Sequence, residues 1–451
     1  MNVHFIAIGG SAMHNLALAL CEKGYTVTGS DDEIFEPAKS RLAAKGLLPS
    51  EIGWFPEKLN NKPDAIILGM HAREDNPELQ RAKELGLKIY SYPEYLYEQT
   101  RNKMRIVVGG SHGKTSVTAM IMHVMRFAGL DFDYMVGAQL DGFDTMVRLS
   151  NSAKVAIFEG DEYLTSPIDL RPKFHLYHPH VGIITGIAWD HINVFPTYAN
   201  YVEQFEIFTR LFEKDGKLVY CAEDAEVVKV AEKAPSELKT IGYKAHNHII
   251  RDSKTFLITP FGEVELQVFG RHNLMNISAA LEACRCAGVA DKTFYEAISQ
   301  FAGAARRLQP LAKTADAEVF YDFAHSPSKL KATVSAVKEQ FPDRKLIACM
   351  ELHTFSSLTK EFLLQYEGSM DKADEAYVFF NPHTIEHKKL APITVEEVEN
   401  AFAKTGLKVY TDSTALFDML KSKNYTSCNL LLMSSGNFSG IDLKDFASKL
   451  L

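Results

Sequence analysis

The densest chemistry in the chain is the run Val107-Val108-Gly109-Gly110-Ser111-His112-Gly113-Lys114-Thr115-Ser116. Backbone N–H groups in a small-residue loop, backed by a helix N-terminus, cradle phosphates. A lysine adds a point charge, and the following hydroxyl can hold Mg²⁺. The run departs from the general phosphate-loop spelling: Val108 stands at the first glycine offset, and His112 directly precedes Gly113.

Four further clusters carry reactive side chains. Glu159 opens an acidic run, Glu159-Gly160-Asp161-Glu162, and His191 closes Trp189-Asp190-His191. A carboxylate and an imidazole beside a nucleotide can hold Mg²⁺ bridging phosphate and substrate, although each alone is more often a loop or cap residue than a ligand. His272, Asn273 and Asn276 sit in Gly270-Arg271-His272-Asn273-Leu274-Met275-Asn276. The i, i+3 spacing puts both amides on one face of a helix start, where they can read a purine edge or a phosphate, or simply cap the helix. Arg306-Arg307 follow the small residues Gly303-Ala304-Ala305 and can either reach a triphosphate or face solvent. Asp322 and His325, in Asp322-Phe323-Ala324-His325-Ser326-Pro327, can orient a transferred phosphate or an amine, or line a turn.

These residues need strands and helices to place them. Ile106–Val108 reads as a buried strand and Val117–Phe127 as a helix. Strands at Val155–Phe158 and Val181–Gly186 are expected to flank the loop strand, because ligands in open α/β sheets sit at the carboxyl ends of strands. Before them, residues 1–103 alternate strand and helix, which predicts a doubly wound α/β unit. Its first turn, Ala7-Ile8-Gly9-Gly10-Ser11-Ala12-Met13, is an imperfect dinucleotide fingerprint with alanines at the outer glycine offsets. Asp31 follows the second strand, where a ribose-binding acid would sit. A helix is expected at Tyr198–Phe212 and a polar hairpin at Lys254–Phe269. Strands at 319–321, 346–350, 375–380, 408–410 and 430–433 predict a third α/β unit.

Composition narrows the class. A chain of 451 residues with 46% hydrophobic and 24% charged residues is an ordinary globular protein of several domains. A formal net charge of −8 argues against nucleic acid as a partner, and no apolar run is long enough to span a bilayer. The six cysteines are scattered; Cys284 and Cys286 read as packing positions rather than metal ligands. A reduced, cytoplasmic setting is the expectation.

Taken in order, the Gly110–Thr115 loop, the acids at 159–162, Asp190-His191, the 270–276 motif, Arg306-Arg307 and Asp322-x-x-His325-x-Pro327 resemble the Mur ligase family along essentially the whole chain. The resemblance implies an α/β protein of three domains: Rossmann-like, P-loop ATPase-like with a mostly parallel sheet, and Rossmann-like again. In that scheme 1–103 bind a UDP-sugar, 104–304 bind ATP, and 305–451 close on ATP and the amine substrate. It implies an ATP-dependent amide ligase using ATP and Mg²⁺. Lys114, Glu159, His191 and His325 would be catalytic, and Thr115, Glu159 and His191 would hold the metal. Gly110, Ser111, His112, Gly113, Lys114, Thr115, Ser116, His272, Asn273, Asn276, Arg307 and Asp322 would bind ATP. Gly9, Gly10, Ser11, Ala12, Met13, Ser30 and Asp31 would bind the UDP-sugar.

The N-terminal spelling is similar to the two members that use UDP-N-acetylmuramate itself. One adds L-alanine in peptidoglycan biosynthesis. The other attaches the tripeptide L-Ala-γ-D-Glu-meso-diaminopimelate in recycling, and several stretches resemble it: Glu162-Tyr163, Lys173-Phe174, Tyr177-x-Pro179 and Met433–Ile441. The alanine-adding type carries arginines where this chain has Thr354 and Ser357, and a hydroxyl cannot make the bidentate pair that holds a small carboxylate. The resemblance therefore favours the peptide, with L-alanine as the alternative. Glu206 falls near a family position that helps hold a second metal; it would either supply an oxygen ligand or face solvent.

Overall fold

Short apolar runs separated by amphipathic stretches build three main sheets, seen in a computed structural model that describes residues 1–189, 194–304 and 307–451. Asp190, His191 and Arg306 therefore lie outside the described residues. Two compact units are present: residues 1–244 with 276–298, and residues 245–275 with 299–451.

The first unit opens with a four-stranded parallel sheet in the order Thr26–Ser30, Asn2–Ile6, Ala65–Leu68, Ile89–Ser91. The first strand ends at Ile6, because Ala7 turns the chain with φ at +70°. A left-handed alanine costs about 1–2 kcal/mol. The turn is held by the Ala7 and Ile8 N–H groups, which both donate to the Ser30 carbonyl at 2.9 and 3.1 Å.

A seven-stranded sheet follows in the same unit. Its order is Lys239–Tyr243, Lys217–Cys221, Val181–Ile184, Met104–Gly109, Val155–Glu159, Phe132–Met135, Val147–Arg148, all parallel except the last. The loop strand Met104–Gly109 thus lies between the two strands expected to flank it, in register Val108↔Glu159 and Gly109↔Ile184. The buried Ile106-Val107-Val108 run reads as continuous because helices cover both faces of such a sheet. Lys217–Cys221 and Lys239–Tyr243 had no clear signal in the sequence.

In the second unit a six-stranded sheet runs Gln309–Lys313, Glu318–Asp322, Cys428–Met433, Lys345–Leu352, Glu375–Phe380, Lys408–Tyr410, with only the first strand antiparallel. Along Cys428–Met433, Leu430 and Leu432 enter one core cluster while Leu431 and Met433 enter the other, so both faces are buried. Residues 245–275, read from the sequence as part of the central block, belong to this unit. Their three-stranded antiparallel sheet, His248–Arg251, Lys254–Thr259 and Gly262–Glu265, is tied to the helix Pro327–Gln340. Thr255 Oγ1 donates to Gln340 Oε1 at 2.8 Å, and Gln340 Nε2 donates to the Ser253 carbonyl at 2.7 Å. Among the described residues, no helix is long and apolar enough to cross a membrane.

Candidate active site

The strand Met104–Gly109 ends where Gly110 and Gly113 take left-handed φ values of +125° and +83°, and the helix Lys114–Phe127 starts directly at Lys114. A Cβ on Gly110 would fall 2.9 Å from the Thr185 nitrogen, and one on Gly113 would fall 2.6 Å from Asn276 Oδ1. Both glycines are therefore required by close approach as well as by φ. The second contact brings the Asn276 amide onto the loop that holds Gly113, a long-range approach that the i, i+3 pattern alone could not reveal.

Lys114 and Thr115 each meet a carboxylate. Lys114 Nζ donates to Glu162 Oε2 at 2.5 Å and to the Gly110 carbonyl at 2.7 Å. Burial opposes the ammonium charge, but Glu162, Asp161 and Glu159 more than offset it and hold the lysine pKa above its usual value. Thr115 Oγ1 donates to Glu159 Oε1 at 2.8 Å, and the Gly137 N–H donates to Glu159 Oε2 at 2.8 Å. Burial pushes the Glu159 carboxyl up, against those bonds and Lys114.

Glu162 proves to be a member of the site that the sequence showed only as part of an acidic run. Its Oε1 accepts from the Tyr201 hydroxyl at 3.2 Å, and that hydroxyl lies 2.9 Å from Ser111 Oγ. Ser111 Oγ also accepts from the Ala188 N–H at 2.8 Å. The Ser111 side chain is thereby committed to holding the loop after Val181–Ile184. The His112 carbonyl accepts from Thr185 Oγ1, and its ring lies against Gly186, where a Cβ would come within 3.3 Å. Ser116 is buried in the helix. Tyr201 comes from the helix Tyr198–Thr209, and no local motif pointed to it.

The first-unit turn keeps its N–H groups open at one end. Gly10 precedes the helix Ser11–Glu22 with no side-chain cap, so the helix start is free to face an anion. Asp31 Oδ2 accepts the Gly9 N–H at 2.6 Å, and a Cβ on Gly9 would collide with that carboxylate at 2.9 Å. Ser30 Oγ accepts from Lys58 Nζ at 3.1 Å. Met13 is buried, Ala12 half-buried and Ser11 exposed.

The second unit gathers its own set. Asp322 accepts the N–H groups of Leu308 and Ala324, each at 2.7 Å. Burial raises its pKa, and Arg307 opposes the rise. His272 is held down to about 4 by burial and by Arg307, so it is neutral at pH 7. The Arg307 guanidinium stands 5.2 Å from the Phe323 ring centroid. Asn273 spends its amide on the Phe269 carbonyl at 2.8 Å. His325 Nδ1 lies 2.9 Å from the Phe323 carbonyl, the turn-lining arrangement, and the His325 carbonyl accepts from the Tyr366 hydroxyl at 2.5 Å.

Contacts place two further residues singled out in the sequence. Glu206 Oε1 pairs with the exposed Lys233 at 2.6 Å. Thr354 and Ser357 turn on each other: the Ser357 N–H donates to Thr354 Oγ1 at 3.1 Å and Ser357 Oγ donates to the Thr354 carbonyl at 3.0 Å.

The residues present fit a magnesium ion. Mg²⁺ is held by one or two carboxylates plus substrate phosphates and keeps several waters. Glu159, buried with its charge disfavoured, and the Thr115 hydroxyl supply hard oxygens at the phosphate loop. Among the described residues, no group of three or more His, Cys, Asp or Glu gathers as a stand-alone metal centre.

Residues 2–104 match the Mur ligase family catalytic domain, 108–284 the Mur ligase middle domain, and 306–436 the Mur ligase glutamate ligase domain. The chain belongs to the Mur ligase family, ATP-dependent ligases that form C–N bonds in peptidoglycan metabolism. It is 31% identical over 386 residues to the UDP-N-acetylmuramate–L-alanine ligase of Arthrobacter sp. (strain FB24), covering 83% of this chain and 80% of that one. It is 27% identical over 455 residues to the UDP-N-acetylmuramate–L-alanyl-γ-D-glutamyl-meso-2,6-diaminoheptandioate ligase of Haemophilus influenzae, covering 98% of each. The fold superposes on the UDP-N-acetylmuramate–alanine ligase of Thermotoga maritima with a TM-score of 0.71 at 21% identity, covering 100% of this chain and 98% of that one.

Proposed function

We propose that this chain joins the carboxyl of UDP-N-acetylmuramate to the free α-amine of the tripeptide L-Ala-γ-D-Glu-meso-diaminopimelate, at the expense of ATP. The carrying observation is the turn at Thr354 and Ser357. Their hydroxyls are engaged with each other's backbone, so this stretch offers no bidentate fork for the carboxylate of free L-alanine. The full-length likeness to the Haemophilus ligase supports the same reading.

In the first half-reaction the muramoyl carboxylate attacks the γ-phosphate of ATP, giving an acyl phosphate and ADP. Two anions must approach, so charge neutralisation dominates the barrier. Lys114 leaves Glu162 for the phosphates, the N–H groups of the 110–113 loop hold the β-phosphate side, and Asn276 packs behind them. Thr115 and Glu159 would hold Mg²⁺, which supplies further positive charge at the phosphates when bound. In the second half-reaction the amine attacks the acyl carbon, phosphate leaves, and an amide forms. Arg307 and Asp322 act on the nucleotide and His325 on the acyl phosphate in this scheme. The turn at Gly9, Gly10 and Ser11, with Ser30 and Asp31, takes the UDP-sugar.

A second reading keeps the chemistry and changes the amine to L-alanine. The Arthrobacter relative, above 30% identity, favours it. One assay separates the two: ADP release with UDP-N-acetylmuramate and, in turn, L-alanine or the di-, tri- and tetrapeptides. The tripeptide is expected to give the highest kcat/KM. A preference for L-alanine would establish the second reading, and release with no amine would overturn both.

A further inference from the structure

The segment 245–275 and the helix Pro327–Gln340 enclose a cavity of about 180 Å³, and none of the residues given a role in the ligase scheme lines it. Both walls belong to the second unit. The first falls in the stretch matched by the middle domain and the second in that matched by the glutamate ligase domain. Small residues stand where the walls meet: a Cβ on Gly270 would fall 2.5 Å from that of Ala336. Gln340 lines the cavity with its amide already fixed, accepting from Thr255 and donating to the Ser253 carbonyl.

The lining is apolar within and charged outside. Leu274 and Ala336 are buried and Ile250 adds an aliphatic wall, whereas Arg271 and Glu339 are exposed. One guanidinium and one carboxylate around an aliphatic floor are complementary to a zwitterion with a short hydrocarbon side chain. A cavity of about 150 Å³ takes benzene, so this one takes roughly six to nine non-hydrogen atoms, the size of a free aliphatic amino acid. Arg271 and Leu274 are i, i+3 neighbours on one face of the helix Arg271–Cys286, and His272 and Asn273 lie on the other. Gly270 is the wall shared by the two faces, since the same Cβ would come 3.1 Å from the His272 ring.

We infer that this cavity binds a free aliphatic α-amino acid, with its carboxylate on Arg271, its ammonium on Glu339 and its side chain on Leu274 and Ala336, and that occupancy is felt at the nucleotide through Gly270 and His272. Binding here needs neither ATP nor the UDP-sugar. The coupling, but not the binding, rests on the reading of His272 as a nucleotide contact. It is reciprocal: whatever the amino acid does to nucleotide affinity, the nucleotide does to amino acid affinity.

The test is equilibrium binding to the full chain of L-leucine, of isocaproate, which lacks the ammonium, and of L-leucinamide, which lacks the carboxylate. L-leucine should bind with a Kd between about 0.1 and 1 mM, the range for a ligand this small with two charged contacts, and each analogue about tenfold more weakly. Glu339→Gln should weaken L-leucine to the level of isocaproate and leave isocaproate unchanged. Arg271→Gln should do the same relative to L-leucinamide. Both positions are exposed, and an unchanged thermal melt shows that the variants fold. L-leucine should also shift the Kd of ADP about fivefold in the wild type and not in Glu339→Gln. No L-leucine binding at millimolar concentration, or binding that both variants leave intact, would overturn the inference and leave the ligase reading untouched. An ADP affinity that L-leucine does not move would overturn the coupling. Failure of the ligase reading shows separately, as absence of amine-dependent ADP release without L-leucine.

Discussion

Lys114 and Glu162 form a buried ion pair, Nζ to Oε2 at 2.5 Å, at the mouth of the phosphate loop. The pair holds the lysine at the loop, with Glu162 braced by Tyr201. Removing the charge should cost transition-state stabilisation without unfolding the protein. Lys114→Met is expected to lower kcat about 10²- to 10³-fold, the range for one lost electrostatic donor. ADP release at saturating substrates, with an unchanged thermal melt, checks it. Glu162→Gln should lower the pKa of Lys114, because the largest opposing charge is gone; the pH dependence of its labelling by an amine-reactive probe reads that shift.

Glu159→Gln keeps the shape of the site but removes a negative oxygen from the Thr115 hydroxyl and from the cation site. The Mg²⁺ concentration for half-maximal activity should rise about 10- to 100-fold. An unchanged Mg²⁺ titration would show that the ion is held without Glu159. Chelation of divalent ions should silence the wild type reversibly.

His175 sets a pH dependence of stability. Burial holds it at about 4, against the partial support of a bond from Nε2 to the Gln204 carbonyl at 2.7 Å. Its folded pKa lies below the unfolded value of about 6.5, so the unfolded chain binds the extra proton between those limits. Stability is full above pH 6.5 and falls as pH drops toward 4, by about 3 kcal/mol for this one group. His175→Gln should flatten the melting temperature over that window, and a curve as steep as wild type would contradict the assignment.

Arg105 is fully buried and donates to five carbonyls: Tyr177 at 2.8 Å, His178 at 3.0 Å, Thr100 and Arg101 at 2.9 Å, and Lys103 at 3.1 Å. It also pairs with Glu213. Arg105→Ala would leave those acceptors unpaired and is expected to cost about 3–5 kcal/mol. Urea denaturation measures it, and a loss below 1 kcal/mol would mean that the surrounding backbone re-forms its bonds.

Much of the architecture was legible because it rests on local rules. The phosphate loop announced itself through Gly110, Gly113, Lys114 and Thr115, whose φ requirements and small size are properties of neighbours in the chain. Continuous apolar runs marked the central strands, since a strand covered on both faces has no reason to alternate. The weaker strands Lys217–Cys221 and Lys239–Tyr243 sit toward the sheet edge, where mixed polarity blurred their pattern. The 245–275 segment looked continuous with the central block, yet its polar contacts to Gln340 are made across eighty-odd residues and leave no local trace.

Residue types and order by themselves determined that this chain binds a nucleotide, belongs to an α/β architecture and resembles the Mur ligases, because short motifs encode backbone geometry and side-chain chemistry directly. Only the tertiary structure decided what each polar group touches. It gave Lys114 to Glu162, braced Glu162 with Tyr201, set Asn276 against Gly113, turned Glu206 to Lys233, closed Thr354 and Ser357 on themselves and left His353 beside Glu351. The first four of those pairings are long-range consequences of strand order and packing, and a carboxylate's role follows from its partner far more than from its own identity.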